Sequence, residues 1–455
     1  MSKAGIVAIT LIAAIGAAIH FSSTSIFDGY PSSLPKAREE IEKSFRSDLL
    51  EAWYPDTVDK VYGGYLTSFD EKWNQAGNQD KFLVGQARHI WVLSELADFT
   101  GDPVYATYAE QGVTFLIESM WDSEYGGFFT LVDREGRVVV DDSKNAYGMA
   151  FAIYGLASRY AHAGDVQALE YAKKSFSWLE SHAWDSEHGG YIDTMDRQGN
   201  WTAKRIDAFD TDFIGLKDYN SSIHLLECLA SLYRVWPDPR VEERLREVLK
   251  LVRDRFVNNK GFLHLYFERD WSPLSLGQLP REQIVANRFF DHVSWGHDVE
   301  TAFLMLEADH VLNGSFSEDT LETARSLVDH ALATGWDQEE GSLFESGYYF
   351  RSEGPCEIID TDKVWWVAGE SLNATLLMAK LFPEDEKYEK AFLKQWGYIQ
   401  KYLLDKEYGA WRNFGDRYEQ GQQTFKAHRW KASYHDARAY MNVLKMLEDD
   451  FELIP

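Results

Sequence analysis

The sequence has little cysteine and few positive charges, and each shortage excludes a class of protein. Cys228 and Cys356 are its two cysteines, too few for a disulfide framework, and Cys228 lies in an apolar helical pattern typical of a buried thiol. There are 46 lysines and arginines against 73 aspartates and glutamates, which gives a formal net charge of −27. Such a surface repels nucleic acids and anionic membranes, so neither is expected as a partner.

Motifs for metal, phosphate and dinucleotide binding are also missing. The chain contains no His-Glu-x-x-His helix, no paired Cys-x-x-Cys and no calcium-binding loop. No glycine-rich phosphate loop follows a predicted strand. We therefore predict no metal and no cofactor, and a small neutral ligand suits the acidic surface.

Only the N-terminus carries a long apolar run. Lys3 precedes an apolar stretch, residues 5–21, which is followed by Ser22-Ser23-Thr24-Ser25. This pattern is typical of an export signal or a signal anchor, although the run is shorter than the ~20 residues that span a bilayer comfortably. We predict that residues 1–30 are a signal peptide or an N-terminal membrane anchor. The body, residues 31–455, is then periplasmic or extracellular, with cleavage of the leader left open.

The body is rich in apolar and aromatic residues and is built from repeats. Hydrophobic residues make up 45% of the 455 positions, and 16 tryptophans contribute to an aromatic share of 15%, which indicates a globular protein. A short glycine turn, flanked by aromatic and charged residues, returns roughly every 60 to 80 residues. Its six copies lie at Tyr62–Tyr65, Trp121–Phe128, Trp184–Tyr191, Lys260–Phe262, Trp336–Gly341 and Lys406–Trp411.

Two helical patterns flank each turn. The patterns before the turns carry charge on one face and span Leu34–Trp53, Pro103–Trp121, Gly164–His182, Pro239–Phe256, Ser317–Thr334 and Asp385–Leu404. Those after the turns are more apolar and span Gln86–Phe99, Asn145–Ala161, Asn220–Val235, His297–Val311, Trp365–Leu381 and Tyr434–Leu447. Mixed helices suit an outer ring and apolar helices a buried inner one. The sequence predicts an all-α fold, an (α/α)6 barrel with short β-hairpins at one end.

In such a barrel the inner helices all begin at the same end, around one funnel. Polar and aromatic residues gather at these helix starts: Arg88, Tyr147, Asn220, His224, His297, Glu300, Trp365, Trp366, Glu370, Trp430, His435 and Arg438. Taken singly, a histidine there can be a hydrogen-bonded core residue, Arg88 can pair with Glu300 or Glu370, and the tryptophans can be packing. Because unpaired buried charges are costly, charged residues on separate helices at one end favour a functional site.

The two histidines at the starts of the fourth and sixth inner helices suit proton transfer. A neutral imidazole has an ordinary pKa near 6.5, so it can take or give a proton at ordinary pH. Two imidazoles on opposite faces of a sugar could remove the C2 proton and return it to the other face. Arg88 could stabilise the enediolate formed between these steps, and tryptophans could stack on the sugar rings.

Three motifs resemble a known family. They are Gly296-His297-Asp298-Val299-Glu300, the pair Trp365-Trp366 with Glu370, and the run from Trp430 to Arg438. Together they resemble the N-acylglucosamine 2-epimerase superfamily, and within it the cellobiose 2-epimerase branch, over nearly the whole chain after about residue 34. The resemblance implies an (α/α)6 barrel and cofactor-free epimerisation at C2 of a reducing-end sugar. Asp298 favours the disaccharide branch.

The resemblance also assigns roles to residues. It implies that His297 and His435 form the acid/base pair, with His435 helping to open the ring. Arg88 would bind the sugar oxygen and His224 would support it, while Glu300 would orient His297 or bind a hydroxyl. One of Trp365 and Trp366, together with Trp430, would form the sugar platforms. Tyr147, Asn220, Glu370 and Arg438 complete the predicted substrate-binding set.

The sequence leaves the reaction and the sugar open. The favoured interpretation is a 2-epimerase acting on a β-1,4-linked disaccharide such as cellobiose, present as a monomer or a weak homodimer. Aldose–ketose isomerisation, or 2-epimerisation of a monosaccharide such as N-acylglucosamine, would use the same pair of histidines. A glycoside hydrolase would need two carboxylates, for which Glu300 and Glu370 are candidates. A non-catalytic sugar-binding protein is the last alternative. The segment Glu268–Asp291 is expected to be an extended loop near the funnel that selects the sugar.

Overall fold

The computed structural model describes residues 30–206, 211–288, 290–415 and 425–448. The predicted signal or anchor segment, apart from its last residue, therefore lies outside the described residues. Within the described ranges, no helix is both long and apolar enough to cross a membrane.

Six helices form a closed inner ring. Inner helices 1 to 6 are Leu83–Thr100, Ala146–Ala163, Tyr219–Val235, Trp295–Asn313, Trp365–Leu381 and Tyr434–Met446. Each packs against the next, and inner helix 6 packs against inner helix 1, which closes the ring. Inner helix 5 is buried almost all round, as expected of a helix surrounded by other helices.

The outer ring consists of the charged helices. Outer helices 1 to 6 are Leu34–Ser44, Pro103–Phe115, Val166–His182, Pro239–Leu251, Glu318–Thr334 and Lys387–Tyr398, and the first, second, fourth and sixth continue into a π-helical turn. Two of them begin with a proline that follows a capping aspartate, since Asp102 accepts a hydrogen bond from the Val104 N–H and Asp238 from the Arg240 N–H. Inner helices 1 to 5 each pack against the outer helix that follows, and inner helix 6 packs against outer helix 1. The predicted (α/α)6 barrel is confirmed.

Short strands gather where the inner helices begin. Lys81–Phe82, Lys144–Asn145 and Lys217–Asp218 each run directly into an inner helix. Their antiparallel partners are Leu131–Val132, Thr194–Met195 and Tyr266–Phe267, and further pairs join Leu131–Val132 to Val139–Asp141, Ala203–Ile206 to Thr211–Ile214 and Ser346–Tyr348 to Glu357–Asp360. These hairpins therefore surround the entrance to the barrel, as predicted.

A buried ion pair fastens each glycine turn, with one exception. In the second copy Gly126 and Gly127 have positive φ, and the Lys144 ammonium lies 3.1 Å from an Asp122 carboxylate oxygen. Equivalent pairs are Lys81–Asp59, Lys217–Asp185, Lys363–Asp337 and Lys426–Asp405. The fourth copy has Asn258 and Val293 at the corresponding positions, so it has lost both charges together. A copy with only one of the two charges would hold a buried charge with fewer partners.

The segment Glu268–Asp291 is more ordered than the extended loop expected from the sequence. It contains the short helix Arg281–Ala286. It shares a small apolar core, separate from the barrel core, formed by Leu216, Leu276, Ile284, Phe290 and Tyr348. The Asp291 carboxylate accepts hydrogen bonds from the Leu276 N–H at 2.7 Å and the Tyr348 hydroxyl at 3.0 Å. These contacts hold the segment in a defined conformation beside the barrel entrance.

Candidate active site

Two histidines from different inner helices meet on one tryptophan in the funnel. His297 begins inner helix 4 and His435 begins inner helix 6. The Trp366 ring centroid lies 4.5 Å from that of His297 and 5.9 Å from that of His435. The two histidines of the predicted acid/base pair therefore lie close to the same indole, near one end of the barrel.

His435 is held by a carboxylate in its neutral, proton-accepting form. Its Nδ1 lies 2.7 Å from a Glu370 oxygen, and both residues are buried. Burial opposes ionisation of Glu370, but Arg438 and His435 beside it lower the pKa of Glu370 to about 2. The ionised carboxylate can only accept, so His435 Nδ1 carries the proton and Nε2 presents a lone pair. Burial also lowers the pKa of His435 to about 4, which keeps the imidazole neutral at pH 7.

His297 is held by two hydroxyl groups. Ser294 Oγ lies 2.6 Å from Nδ1, and the Tyr219 hydroxyl lies 3.0 Å from Nδ1 and 2.9 Å from Nε2. Burial lowers the pKa of His297 well below its ordinary value. Glu300, which the resemblance assigned to orient His297 or to bind a hydroxyl, accepts a hydrogen bond of 3.3 Å from Arg438 and makes none with His297 among the described residues. Hydroxyls thus replace the expected carboxylate as partners of this histidine.

Arg88 carries a charge with no carboxylate partner among the described residues. Its guanidinium donates to the Tyr147 hydroxyl at 3.0 Å and to the Trp430 carbonyl at 3.1 Å. The rings of Phe151 and Tyr434 face the guanidinium at 4.4 and 4.9 Å and stabilise the cation. The proposed ion pairs with Glu300 or Glu370 are not formed. Arg88 can therefore stabilise negative charge on a bound molecule.

His224 lies next to Tyr147 and Phe151, two residues that also contact Arg88. Its ring centroid is 5.2 Å from that of Tyr147 and 4.6 Å from that of Phe151, and its Nδ1 is 3.0 Å from Glu227. Burial lowers the pKa of His224 and raises the pKa of Tyr147 to about 12, so a neutral imidazole and a neutral phenol lie side by side. Asn220, one helical turn before His224, is half-buried.

Arg438 and three buried glutamates form a hydrogen-bonded cluster next to His435. Arg438 is 2% exposed and donates to Glu227 at 2.7 Å, to Glu300 at 3.3 Å and to Glu370. Burial, with Glu370 close by, raises the pKa of Glu300 well above its ordinary value. Arg438 was predicted to bind substrate, but the structure places it among these glutamates. It donates to the same carboxylate that contacts His435.

The donor atoms of Glu300, Glu370 and His435 lie within 4.8 Å of one another, which is close enough to suggest a metal site. However, Arg438 already donates to both carboxylates. The guanidinium supplies the positive charge that a metal would bring, so this donor set suits an ion pair better than a cation. The absence of a metal stays a prediction.

The tryptophans differ in position. Trp365 is 7% exposed and packs against Lys431, whose ammonium lies 5.1 Å from the ring centroid. It belongs to the core, whereas its neighbour Trp366 contacts both histidines. Trp430 is 48% exposed, with its centroid 4.8 Å from that of Phe82 and 6.3 Å from that of Tyr147. Trp366 and Trp430 are thus the indoles available to a ligand.

Sequence reasoning missed three residues of this site. Ser294 and Tyr219 contact His297, and Glu227 contacts both His224 and Arg438. Glu227 could have been found, because it lies three residues after His224 on the same helix face. No local pattern connects Tyr219 to His297, since they begin different helices.

Comparison with known proteins agrees with this geometry. The family model for N-acylglucosamine 2-epimerase matches residues 64–439. A cellobiose 2-epimerase from Bacteroides fragilis is 27% identical over 411 residues, covering 90% of this chain and 98% of that protein. The D-mannose isomerase of Marinomonas mediterranea is 25% identical over 401 residues, covering 87% and 94%. The structure of cellobiose 2-epimerase from Spirochaeta thermophila superposes with a TM-score of 0.78 at 28% identity, covering 91% and 97%. The chain belongs to the N-acylglucosamine 2-epimerase family, and so to the carbohydrate epimerases, as its motifs predicted.

Proposed function

We propose that this protein interconverts the reducing-end glucose and mannose of a β-1,4-linked disaccharide such as cellobiose. The observation that carries the proposal is the placement of His297 and His435 against the same indole, that of Trp366. Relatives named cellobiose 2-epimerase support the choice of substrate. Trp430, half-exposed at the entrance, offers the second sugar ring a surface for stacking.

Epimerisation requires one proton to leave C2 and another to arrive on the opposite face. In the open-chain sugar, one neutral imidazole of the pair removes the C2 proton, and the electrons of the C–H bond form the enediolate. The other imidazole delivers a proton to the opposite face of C2 and must be protonated for this step. Because burial lowers the pKa of both histidines, the protonated form is a minor species in the free enzyme, and the negative charge of the enediolate stabilises it. Exchange with water then restores both groups. His435 Nε2 is free to act because its Nδ1–H is bound to Glu370.

Arg88 and its neighbours stabilise the intermediate. Negative charge develops on the oxygen at C1 when the C2 proton leaves. The Arg88 guanidinium has no competing carboxylate, and Tyr147 holds one of its nitrogens in place. His224, adjacent to Tyr147, adds a hydrogen-bonding group to the same surface. Such preorganised charge is worth about 3–4 kcal/mol in comparable acyl-transfer sites.

Aldose–ketose isomerisation is the second candidate. The relative from Marinomonas mediterranea is named D-mannose isomerase. The same enediolate gives a ketose when the proton returns to C1 rather than to C2. Both reactions would use His297 and His435, so the products must distinguish them.

The deciding experiment is a proton NMR time course in heavy water with cellobiose, mannobiose and free mannose. We expect the C2 epimer of cellobiose, with deuterium at C2. His297→Ala and His435→Ala should each abolish C2 exchange, while His182→Ala, on outer helix 3, should leave it intact. A ketose product would select the isomerase, released monosaccharide the hydrolase, and exchange that persists in both histidine variants would overturn the mechanism.

We also propose that residues 1–30 direct the enzyme out of the cytoplasm. The proposal is supported by Lys3 and the apolar run of residues 5–21. Expression of the full chain, and of a chain that begins at residue 31, tests it by fractionation. The full chain should be found in the periplasm, the membrane or the medium and the shortened chain in the cytoplasm. Equal distribution of the two would contradict export.

A further inference from the structure

A second cavity, of about 270 Å³, lies on the barrel axis beyond the candidate active site. All six inner helices line it, each with residues further along the helix than those facing the funnel. On inner helix 3, for example, His224 faces the funnel and Ser231 lines this cavity. On inner helix 5, Glu370 faces the funnel and Leu377 lines this cavity. The barrel therefore has two chambers, one toward each end.

Arg438 forms the boundary between the two chambers. Its terminal nitrogens donate to Glu227, Glu300 and Glu370. Its Nε, by contrast, has no hydrogen-bond partner among the described residues, although the side chain is almost fully buried and lines the second cavity. A buried donor left without a partner costs about 1–3 kcal/mol. Because Nε itself is buried, other atoms of the Arg438 side chain line the cavity.

The cavity wall combines aromatic rings with polar groups. The Trp91 and Tyr154 rings stack with centroids 5.2 Å apart, and Phe303 also lines the cavity. Neither the Trp91 indole N–H nor the Tyr154 hydroxyl is hydrogen-bonded to another residue in the described ranges. Apolar surface with a few hydrogen-bonding groups is the usual composition of a small-molecule site.

The charges of the cavity are largely paired with one another, which favours a neutral ligand. Arg234 lies 3.2 Å from Glu307, and His162 lies 2.9 Å from Glu95. The inner helices also end toward this chamber, and helix C-termini carry partial negative charge that disfavours anions. A simple cation would meet the Arg438 guanidinium. A hydroxyl group, which both donates and accepts, can satisfy donors and carboxylates in one cavity.

We propose that this second chamber binds a neutral sugar of monosaccharide size. Its volume is just below the ~300 Å³ at which pockets for drug-sized ligands begin, so it suits a single ring rather than a disaccharide. The proposal rests on the residues of this chamber and holds whichever reaction occurs in the funnel.

A fluorine NMR titration of the full chain with methyl 3-deoxy-3-fluoro-β-D-glucopyranoside, which has a single anomeric form and cannot open to a chain, tests the proposal. We expect two bound resonances, one from each chamber. Ser231→Leu places an apolar side chain in the second cavity and should remove one resonance. Ser181→Leu, the matched control on the exposed surface of outer helix 3, should retain both. Trp366→Ala, in the funnel, should remove the other resonance.

Asn442→Leu, which enters the same cavity from inner helix 6, provides an independent variant should Ser231→Leu fail to fold. The proposal is overturned if neither Ser231→Leu nor Asn442→Leu removes a bound resonance that the unmodified protein shows. Displacement of the cavity resonance by an equal concentration of inorganic phosphate would contradict the neutral ligand class. Failure of the epimerase proposal would be seen separately, as absence of C2 exchange.

Discussion

The His435 imidazole and the Glu370 carboxylate are joined by a hydrogen bond of 2.7 Å between Nδ1 and Oε1. The two residues lie in the N-terminal parts of neighbouring inner helices, and the packing of those helices brings them together. Glu370 is fixed in turn by Arg438. This chain of contacts decides which nitrogen of His435 faces the sugar, so it connects the packing of the barrel to its chemistry.

Glu370→Gln should lower kcat by about 100-fold or more with little change in KM. The glutamine amide can donate to Nδ1 and so favour the wrong tautomer of His435, as at other carboxylate–histidine pairs. Steady-state kinetics with cellobiose would measure the effect, with Glu389→Gln on outer helix 6 as the control. Unchanged kcat in Glu370→Gln would show that the hydrogen bond does not set the tautomer.

As the pH is lowered, we expect kcat/KM to fall only at pH values below the pKa range of an ordinary histidine. Burial lowers the pKa of His435 to about 4, so its Nε2 stays unprotonated as the pH falls from 7 to about 5. The base is lost only as the pH falls through about 4. The pH dependence of kcat/KM reports the free enzyme and provides the measurement. Loss of activity with a midpoint near pH 6.5 would show that the catalytic base is a histidine with an ordinary pKa, and would contradict the expected shift.

Arg88→Ala should lower kcat by about 100- to 1,000-fold, the range seen when a donor to a developing oxyanion is removed. Arg88→Lys should recover only part of this loss. An ammonium keeps the charge but cannot donate to Tyr147 and the Trp430 carbonyl in the fixed geometry of a guanidinium. Rates of C2 exchange in heavy water measure both variants, and exposed Arg46→Ala is the control. Full activity in Arg88→Ala would exclude the role.

Tyr219→Phe should lower kcat by about 10-fold and leave KM nearly unchanged. The substitution keeps the ring that packs edge-on against His297 and removes only the hydroxyl that lies 2.9 Å from Nε2. A loss of this size corresponds to about 1.4 kcal/mol, as expected for one hydrogen bond. Kinetics of Tyr219→Phe and of exposed Tyr62→Phe make the comparison. A rise in KM alone would place Tyr219 in binding rather than in orienting His297.

The ion pair between Lys144 and Asp122 at the second glycine turn can be tested with a compensating pair of substitutions. Lys144→Val should destabilise the fold, by up to about 3–5 kcal/mol, because it leaves Asp122 with a weaker set of partners in a buried position. Adding Asp122→Asn reproduces the Asn258 and Val293 combination of the fourth copy and should restore much of the loss. Denaturant unfolding of the two single variants and the double variant gives the coupling energy. Additive effects would mean that the pair does not fasten the turn.

The sequence determined the architecture because the signals for it are local. Helical periodicity, the contrast between mixed and apolar helices and the returning glycine turns all act within a few residues. Inner helix 5 was predicted with the bounds that the structure gives it, and the other inner helices differ by a few residues at their ends. The sequence also placed His297, His435 and Arg88 at one end of the barrel, because all inner helices begin there.

The tertiary structure decided which side chains meet, because those contacts join residues far apart in the chain. Adjacent Trp365 and Trp366 cannot be told apart by pattern, but helix packing turns one toward Lys431 and the other toward the histidines. Arg438 is buried among glutamates from three other helices, and Tyr219 reaches His297 across a helix boundary. Local sequence sets where each helix begins, whereas the closing of the ring sets the partners and the pKa of each buried group.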